Sequence, residues 1–283
     1  MRYRNILAAF AALTISAALG AQTTTEEFSA RHQRQVARVG YAGLGVEGII
    51  DKWEAAFPED GKMLRARFSY YLAKGMRTEA VRKDGRKFLG ADPMFSIPDS
   101  TGVPVNFFEE QFFDDELFAQ ALTTIDKAIA LYPDEMIYRI NRISALLAYE
   151  KETPDLALND LNGLIARQKA EKPEWTFNGE AAAKDDFSLI ISEYCVKLFT
   201  VGTPSAYEAF YSVSCQMNAL YPKDPTYLDN IGSYWLVAKQ KDKKAAGFYK
   251  KALKLDPEDE AAQKNLKLIE RRKAAAKNAK KKK

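Results

Sequence analysis

Three glycines at residues 43–48 form the first pattern that could carry chemistry. Gly43, Gly45 and Gly48 satisfy the spacing GxGxxG, which in dinucleotide-binding proteins lets the backbone approach a pyrophosphate. That use requires a strand directly before the glycines and a helix directly after them. Here the preceding residues, Arg31 to Arg38, form a charged stretch with helical character. We therefore interpret the glycines as a turn between two helices.

Side chains suited to catalysis or metal binding are scarce. His32 is the only histidine, and because it stands between Arg31 and Arg34 we expect it on an exposed helix surface. One histidine supports neither a Cys–His zinc set nor a convincing Ser-His-Asp set. Carboxylates alone can run some hydrolyses, but the acidic pairs at 114–115 and 185–186 precede predicted helices, where they would stabilise the helix N-termini. We predict that the protein is not an enzyme and has no cofactor, no metal and no small-molecule substrate.

Cys195 and Cys215 are the two cysteines of the chain, too few for a disulfide scaffold. They fall on consecutive predicted helices joined near Gly202, so Cys195 should lie opposite about residue 209. Cys215 would then lie ~9 Å further along the helix axis, beyond the ~7 Å between Cα atoms that a disulfide tolerates. We predict that both thiols are unpaired.

The elements around these residues follow a helical period. Leu117, Ala121, Ile125, Ala128 and Tyr132 recur at intervals of three and four residues, as one face of a helix requires. Similar amphipathic runs end at a proline followed by acidic residues, and proline disfavours helical geometry in the residue before it. The predicted helices are 26–40, 43–57, 60–83, 114–132, 135–151, 154–171, 184–200, 204–221, 225–239, 242–255 and 258–279, and no convincing strands are found.

The helices fall into blocks separated by two spacers. The predicted organisation is degenerate helical repeats over 22–83, a long loop over 84–113, further repeats over 114–172, a loop over 173–183, and C-terminal repeats with a capping helix over 184–270. The first spacer contains Phe107 and Phe108, which favours packing on the helices over free disorder. Loops of this length inside a domain are uncommon and are often functional.

One segment resembles a known repeat family. The run from Pro225 to Trp235, followed by Ala245, Tyr249 and Ala252, is similar to a single tetratricopeptide repeat. From Pro222 to Pro257 is 35 residues, close to the family's ~34, and we expect the extra residue in the turn at 239–244. Residues 114–172 resemble the family more loosely, and residues 26–75 more weakly still.

The resemblance implies an all-α, right-handed α-solenoid of antiparallel helix pairs that binds a protein or peptide partner in its concave groove. Tyr138 and Asn141 lie five and eight residues after Pro133, and Tyr227 and Asn230 repeat that spacing after Pro222. In some family members an asparagine at this position holds the backbone of the ligand, although it also occurs there simply as a consensus residue. The four residues are therefore candidates for contact with a partner, while the basic residues that clamp a carboxyl terminus in the family are not recognisable.

A strongly basic C-terminus offers an alternative function. The whole chain carries a formal charge of +4, but its last twenty residues hold ten lysines and arginines against a single glutamate, so the rest is acidic. This tail could bind an anionic surface such as lipid, an acidic polymer or nucleic acid, or it could simply be a solvated end. The residues of the tail, 271–283, that carry the charge are Arg271, Arg272, Lys273, Lys277, Lys280, Lys281, Lys282 and Lys283.

Residues 1–21 have the three-part layout of a secretory signal peptide. Arg2 and Arg4 precede an apolar stretch, and small residues follow at Gly20 and Ala21. The stretch is shorter than the ~20 residues that a membrane span needs, although an uncleaved anchor is the alternative. We predict export, with cleavage after Gly20 or Ala21, and a periplasmic protein of bacterial type without a transmembrane helix. The absence of a lipid-acceptor cysteine argues against a glycan-binding lipoprotein built on helical repeats.

Overall fold

A computed structural model describes residues 23–281, so the predicted signal peptide and the last two lysines lie outside the described residues. This part of the chain is mainly helical. Its α-helices are α1 Thr25–Val39, α2 Val46–Ala56, α3 Gly61–Gly75, α4 Asp115–Leu131, α5 Met136–Glu150, α6 Asp155–Ala170, α7 Asp186–Val201, α8 Pro204–Leu220, α9 Pro225–Ser233, α10 Asp242–Leu255 and α11 Glu260–Lys281. The predicted helices therefore exist, with small shifts at most ends.

Side-chain caps fix where several helices begin. Thr24 and Glu27 form a reciprocal capping box at the start of α1, which satisfies backbone N–H groups that have no partner within the helix. Asp60, Asp114 and Asp224 each accept a backbone N–H bond at the start of the helix that follows them. The prolines that end the amphipathic runs, Pro58, Pro133, Pro222 and Pro257, all lie between consecutive helices, so the prediction that they separate helices is confirmed.

Packing proceeds mostly between neighbours along the chain. Each helix from α1 to α6 packs on the next, α6 then packs on α8, and α7 to α11 continue in sequence. Small residues allow close approach, since Ala121, Ala128, Ala245 and Ala252 are fully buried. One hydrophobic cluster extends from Phe28 to Tyr234, and a second joins α9 and the following π-helical turn to α10 and α11.

The prediction that residues 76–113 are helix and loop is wrong. The helix ends at Gly75, and three antiparallel strands follow, β1 Met76–Lys83, β2 Phe95–Pro98 and β3 Pro104–Phe113, in the order β1-β3-β2. Valine and aromatic side chains favour strands, but β1 pairs with a strand more than twenty residues away, which local periodicity cannot show. Phe108, on β3, is buried, so the expectation that this spacer packs rather than remaining disordered is confirmed.

The sheet is inserted into a pair of helices without separating them. At one end, the N–H of Asp114 donates to the carbonyl oxygen of Gly75 at 2.9 Å. At the other end, Lys127 Nζ and Tyr132 Oη donate to the carbonyls of residues 58 and 59, both at 2.8 Å. These contacts show that α3 and α4 pack antiparallel along their whole length, with the sheet extending from their junction.

The last pair of helices contains a local irregularity. Residues Tyr234–Ala238 form a π-helical turn directly after α9, and the N–H of Lys239 donates to the carbonyl of Tyr234 at 3.2 Å. A π turn closes on the fifth residue rather than the fourth, so it takes up one additional residue. The irregularity therefore lies within the helix and not in the turn at 239–244, where the extra residue was expected.

Candidate binding groove

A groove of about 1260 Å³ lies along the first half of the chain. Its walls come from α1, α3 and α5, which alternate with the intervening helices, and from the segment 176–179. We call this site the groove. The polar side chains that line it include Ser29, Gln33, Arg65, Ser69, Tyr138 and Asn141.

Two of the four partner residues predicted from sequence line the groove. Asn141 is half-buried, and its amide makes no side-chain hydrogen bond within residues 23–281. Tyr138 is 6% exposed, and its ring packs so closely on α3 that a Cβ at Gly61 would lie 2.1 Å from its hydroxyl oxygen. Burial raises the pKa of Tyr138 to about 12, so its hydroxyl keeps its proton and can donate.

The other two predicted partner residues lie outside the groove. Tyr227 is fully buried, and its hydroxyl donates to the carbonyl of Ser188 at 2.7 Å, which leaves no surface for a ligand. Asn230 is half-buried, and its Nδ2 is enclosed without a hydrogen-bond partner in the described region. The repeated spacing after Pro133 and Pro222 therefore places similar residues on similar helices, but in different surroundings.

A short β-hairpin forms one rim of the groove, within the predicted loop 173–183. Its strands are β4 Thr176–Phe177 and β5 Glu180–Ala181, and Asn178 and Gly179 between them both have positive φ. Asn-Gly suits this tight turn because both residues tolerate the left-handed region. Glu135, at the start of α5, is 8% exposed and accepts from the N–H groups of Asn178 and Gly179 at 2.8 and 2.9 Å. The hairpin is thus fixed to α5.

The hairpin also reaches α3. Arg65 Nη1 donates to the Oδ1 of Asn178 at 2.8 Å, and no described carboxylate lies within ion-pair distance of this guanidinium. Arg67 differs, since its guanidinium is bonded to both Asp51 and Glu54 at 2.6 and 2.7 Å. Arg65 is therefore a cation held at the groove by a neutral amide.

The carboxylates near Arg65 are largely occupied by protein donors. Asp60 accepts from the N–H of Met63 at 2.9 Å and from a threonine hydroxyl of α1. Asp134 is paired with Arg167 at 2.6 Å, and Glu135 holds the hairpin. Glu26 also lines the groove, so the lining holds more acidic than basic side chains and the free N–H donors of Arg65 lie among them.

His32 is not on the surface, which corrects the sequence prediction. It is 7% exposed, its Nε2 has no hydrogen-bond partner among the described residues, and its ring lies 6.3 Å from that of Trp53. Burial, with a smaller contribution from the charge of Arg65, lowers the pKa of His32. Phe28, His32 and Val36 are spaced by four residues, so the helical period places the histidine on the apolar face of α1.

The glycine motif and the cysteines carry no site. Gly40 and Gly45 have φ of +80° and +81° in the turn between α1 and α2, which confirms a helix–helix turn.

Cys195 is buried with its Sγ 3.7 Å from Ser214 Oγ, and burial raises its pKa to about 12. The thiols are not bonded to each other, although Cys195 faces residue 214 rather than about 209, so the predicted register between the two helices is wrong.

The basic tail continues the last helix. Helix α11 runs to Lys281, and the side chains of residues 271–278 are exposed. Arg272 lies 3.4 Å from Asp242, and the other charges up to residue 278 point into solvent without an ion pair there.

Comparisons with known proteins do not assign the chain to a protein family. No protein-family model matches the chain, and no curated protein sequence matches it. Within residues 23–281, no helix combines the length and apolar character needed to cross a membrane. The function of the protein must therefore be inferred from its fold and from the groove.

Proposed function

We propose that the protein is a non-enzymatic scaffold of tetratricopeptide type, a right-handed helical solenoid that holds an extended segment of a partner protein in the groove. The observation that carries this proposal is the groove itself, lined by the alternate helices α1, α3 and α5. Stacked helix pairs that contact mainly their neighbours leave such extended surfaces, and most helices of this chain pack on the next helix in sequence, with α6 packing on α8 as the exception. Asn141, with its amide directed to the groove region, is the residue we assign to the backbone of the partner.

The setting we propose is the bacterial cell envelope, because residues 1–21 have the pattern of a signal peptide. The expected mature protein begins at Ala21 or Gln22 and is released by osmotic shock. Full-length protein retained in the cytoplasm would contradict the proposed location, and N-terminal sequencing of the fractions distinguishes the two results.

Site-specific photocrosslinking tests the groove. A photoreactive amino acid at Ser69, in the wall of the groove, should capture partner proteins in living cells, and mass spectrometry identifies them. The matched control is Val196, which is 62% exposed on α7 and lies outside the groove. The change Asn141→Ala should reduce capture at Ser69. Equal capture at both positions, unaffected by Asn141→Ala, would contradict the proposal.

A second candidate function rests on α11, whose basic residues continue as an exposed helix beyond its buried part. Such a helix can bind anionic lipid, acidic polymer or nucleic acid, with about 1 kcal/mol per basic residue near a lipid surface. Removal of residues 271–283 should leave stability within about 0.5 kcal/mol, because exposed charges contribute little. If truncation abolishes partner capture while Asn141→Ala has no effect, the tail and not the groove is the functional surface.

A further inference from the structure

Arg65 has most of its hydrogen-bonding capacity unused although it lies inside the groove. A guanidinium carries five N–H donors, and within the described residues only Nη1 of Arg65 is bonded, to Asn178. Asn178 is neutral, so the positive charge has no anionic partner at bonding distance. A planar cation in this condition suits a carboxylate, which can accept two parallel hydrogen bonds from it.

Two neutral groups that line the groove with Arg65 can also donate, within a lining that is acidic overall because of Glu26, Asp60, Asp134 and Glu135. The amide of Asn141 has no side-chain partner among residues 23–281, and the hydroxyl of Tyr138 has none there either. The acidic groups of Asp60, Asp134 and Glu135 already accept bonds from the protein. A ligand that satisfies these donors must bring acceptors, namely a carboxylate for the arginine and carbonyl oxygens for the amide and hydroxyl.

We propose that Arg65 selects an acidic side chain, Asp or Glu, in the extended segment bound by the groove, and that Asn178 positions the guanidinium for it. This inference rests on the proposed function of the groove. The hairpin that carries Asn178 is held to α5 through Glu135, so the amide keeps the arginine at the groove rather than leaving it to sample solvent. A carboxylate binds the remaining N–H groups through charge-assisted bonds that a neutral amide cannot match.

Selection from a library of displayed random dodecapeptides tests the proposal and does not require an identified partner. The wild-type protein should enrich peptides with Asp or Glu at one fixed position of a common motif. Arg65→Gln should enrich the same motif without the acidic residue, and Lys197→Gln, which removes an exposed charge from α7, should behave like the wild type. Selection of a motif without an acidic position would overturn the role of Arg65 while leaving the groove as a binding site. Failure to enrich any peptide would overturn the proposed function itself.

Affinities of one enriched peptide then test the contact directly. In fluorescence anisotropy, replacing its conserved Glu or Asp by the amide should weaken binding to the wild type about ten-fold, as expected for a hydrogen bond to a charged group. The same replacement should have no effect on Arg65→Gln, since the two changes remove one interaction. The Asn178→Ala variant should bind more weakly than the wild type but keep the preference for the acidic peptide. If amidation of the peptide C-terminus, and not of its side chain, causes the loss, the groove recognises a terminal carboxylate and the proposal is wrong.

Discussion

The substitution Asp229→Asn should stabilise the protein in a way that depends on pH. Asp229, on α9, is half-buried, and its Oδ1 is enclosed without a donor in the described part of the chain. Burial first, then a hydrogen bond and the charge of Asp259, raise its pKa from 3.8 to about 8. Asp259 in turn accepts from the N–H of Ala262 at 3.0 Å, at the start of α11. The Asp229 carboxyl therefore keeps its proton near neutral pH.

The raised pKa sets the sign of the effect. Because the folded state keeps a proton that the unfolded chain releases near pH 4, Asp229 costs no stability below that pH and lowers stability progressively as the pH rises to about 8. The three pH units between pH 4 and pH 7 correspond to about 4 kcal/mol for a fully buried carboxyl, and because Asp229 is only half-buried, solvent screening reduces the expected cost to about 1–2 kcal/mol. Asparagine has a permanent N–H donor for Asp259 and no proton to lose, so it removes this cost.

Urea unfolding between pH 4 and pH 8 measures the effect. The variant should match the wild type at pH 4 and exceed its free energy of unfolding by an amount that grows to about 1–2 kcal/mol at pH 7. Asp259→Asn should show the same trend more weakly, because it leaves in place the burial that is the largest cause of the raised pKa of Asp229, while asparagine still caps the helix. Asp242→Asn, which alters an exposed pair with Arg272, serves as the control and should show no such growth. A stability difference that stays constant over this pH range would refute the raised pKa of Asp229.

Three further substitutions test helix packing, two of them at residues that line the groove. The wild type should lose stability below pH 6.5, because the lowered pKa of His32 means that the unfolded chain takes up a proton more readily than the folded chain. His32→Gln should reduce this loss. Urea titrations at pH 5 and pH 7 measure it, and equal acid sensitivity of the two proteins would contradict the prediction. Gly61→Ala should destabilise by about 1–3 kcal/mol, since its Cβ would meet the hydroxyl of Tyr138 at 2.1 Å. Gly163→Ala in α6, where a Cβ meets nothing within 4 Å, should instead stabilise by up to about 1 kcal/mol, and thermal unfolding of the two variants should shift in opposite directions.

The helices could be predicted because their signals are local. The period of α4, with buried Ala121, Ile125 and Ala128, is visible within five turns, and the prolines between helices mark their ends. The insertion 76–113 could not be found in this way, since β1 and β3 stabilise each other only after the chain has turned back over more than twenty residues. The hairpin carries a local signal, because Asn178-Gly179 is a preferred hairpin turn, but its strands of two residues each are too short to show an alternating pattern.

The candidate site likewise contains residues that local sequence signals could predict and residues that they could not. Asn141 follows from the spacing after Pro133, and the structure places it at the groove. Arg65 could not be predicted, because it differs from Arg67 in having no described carboxylate at ion-pair distance, and that depends on which helix faces each side chain. The burial of His32 could have been predicted from the sequence, since its spacing from the buried Phe28 puts both residues on one face of α1.

The two segments that break the helical pattern affect the helices in different ways. The sheet leaves and re-enters at adjacent residues, because Gly75 and Asp114 are hydrogen-bonded, so α3 and α4 keep the contacts that a short turn would give them. The sheet also contacts the end of α5, where Lys151 pairs with Glu110 of β3 at 2.6 Å, but none of residues 76–113 lines the groove. The hairpin links α5, through Glu135, to α3, through Asn178, and so fixes the position of a charged groove residue. We therefore expect recognition in the groove to be more sensitive to substitutions in residues 176–181 than to comparable substitutions at the exposed end of the sheet.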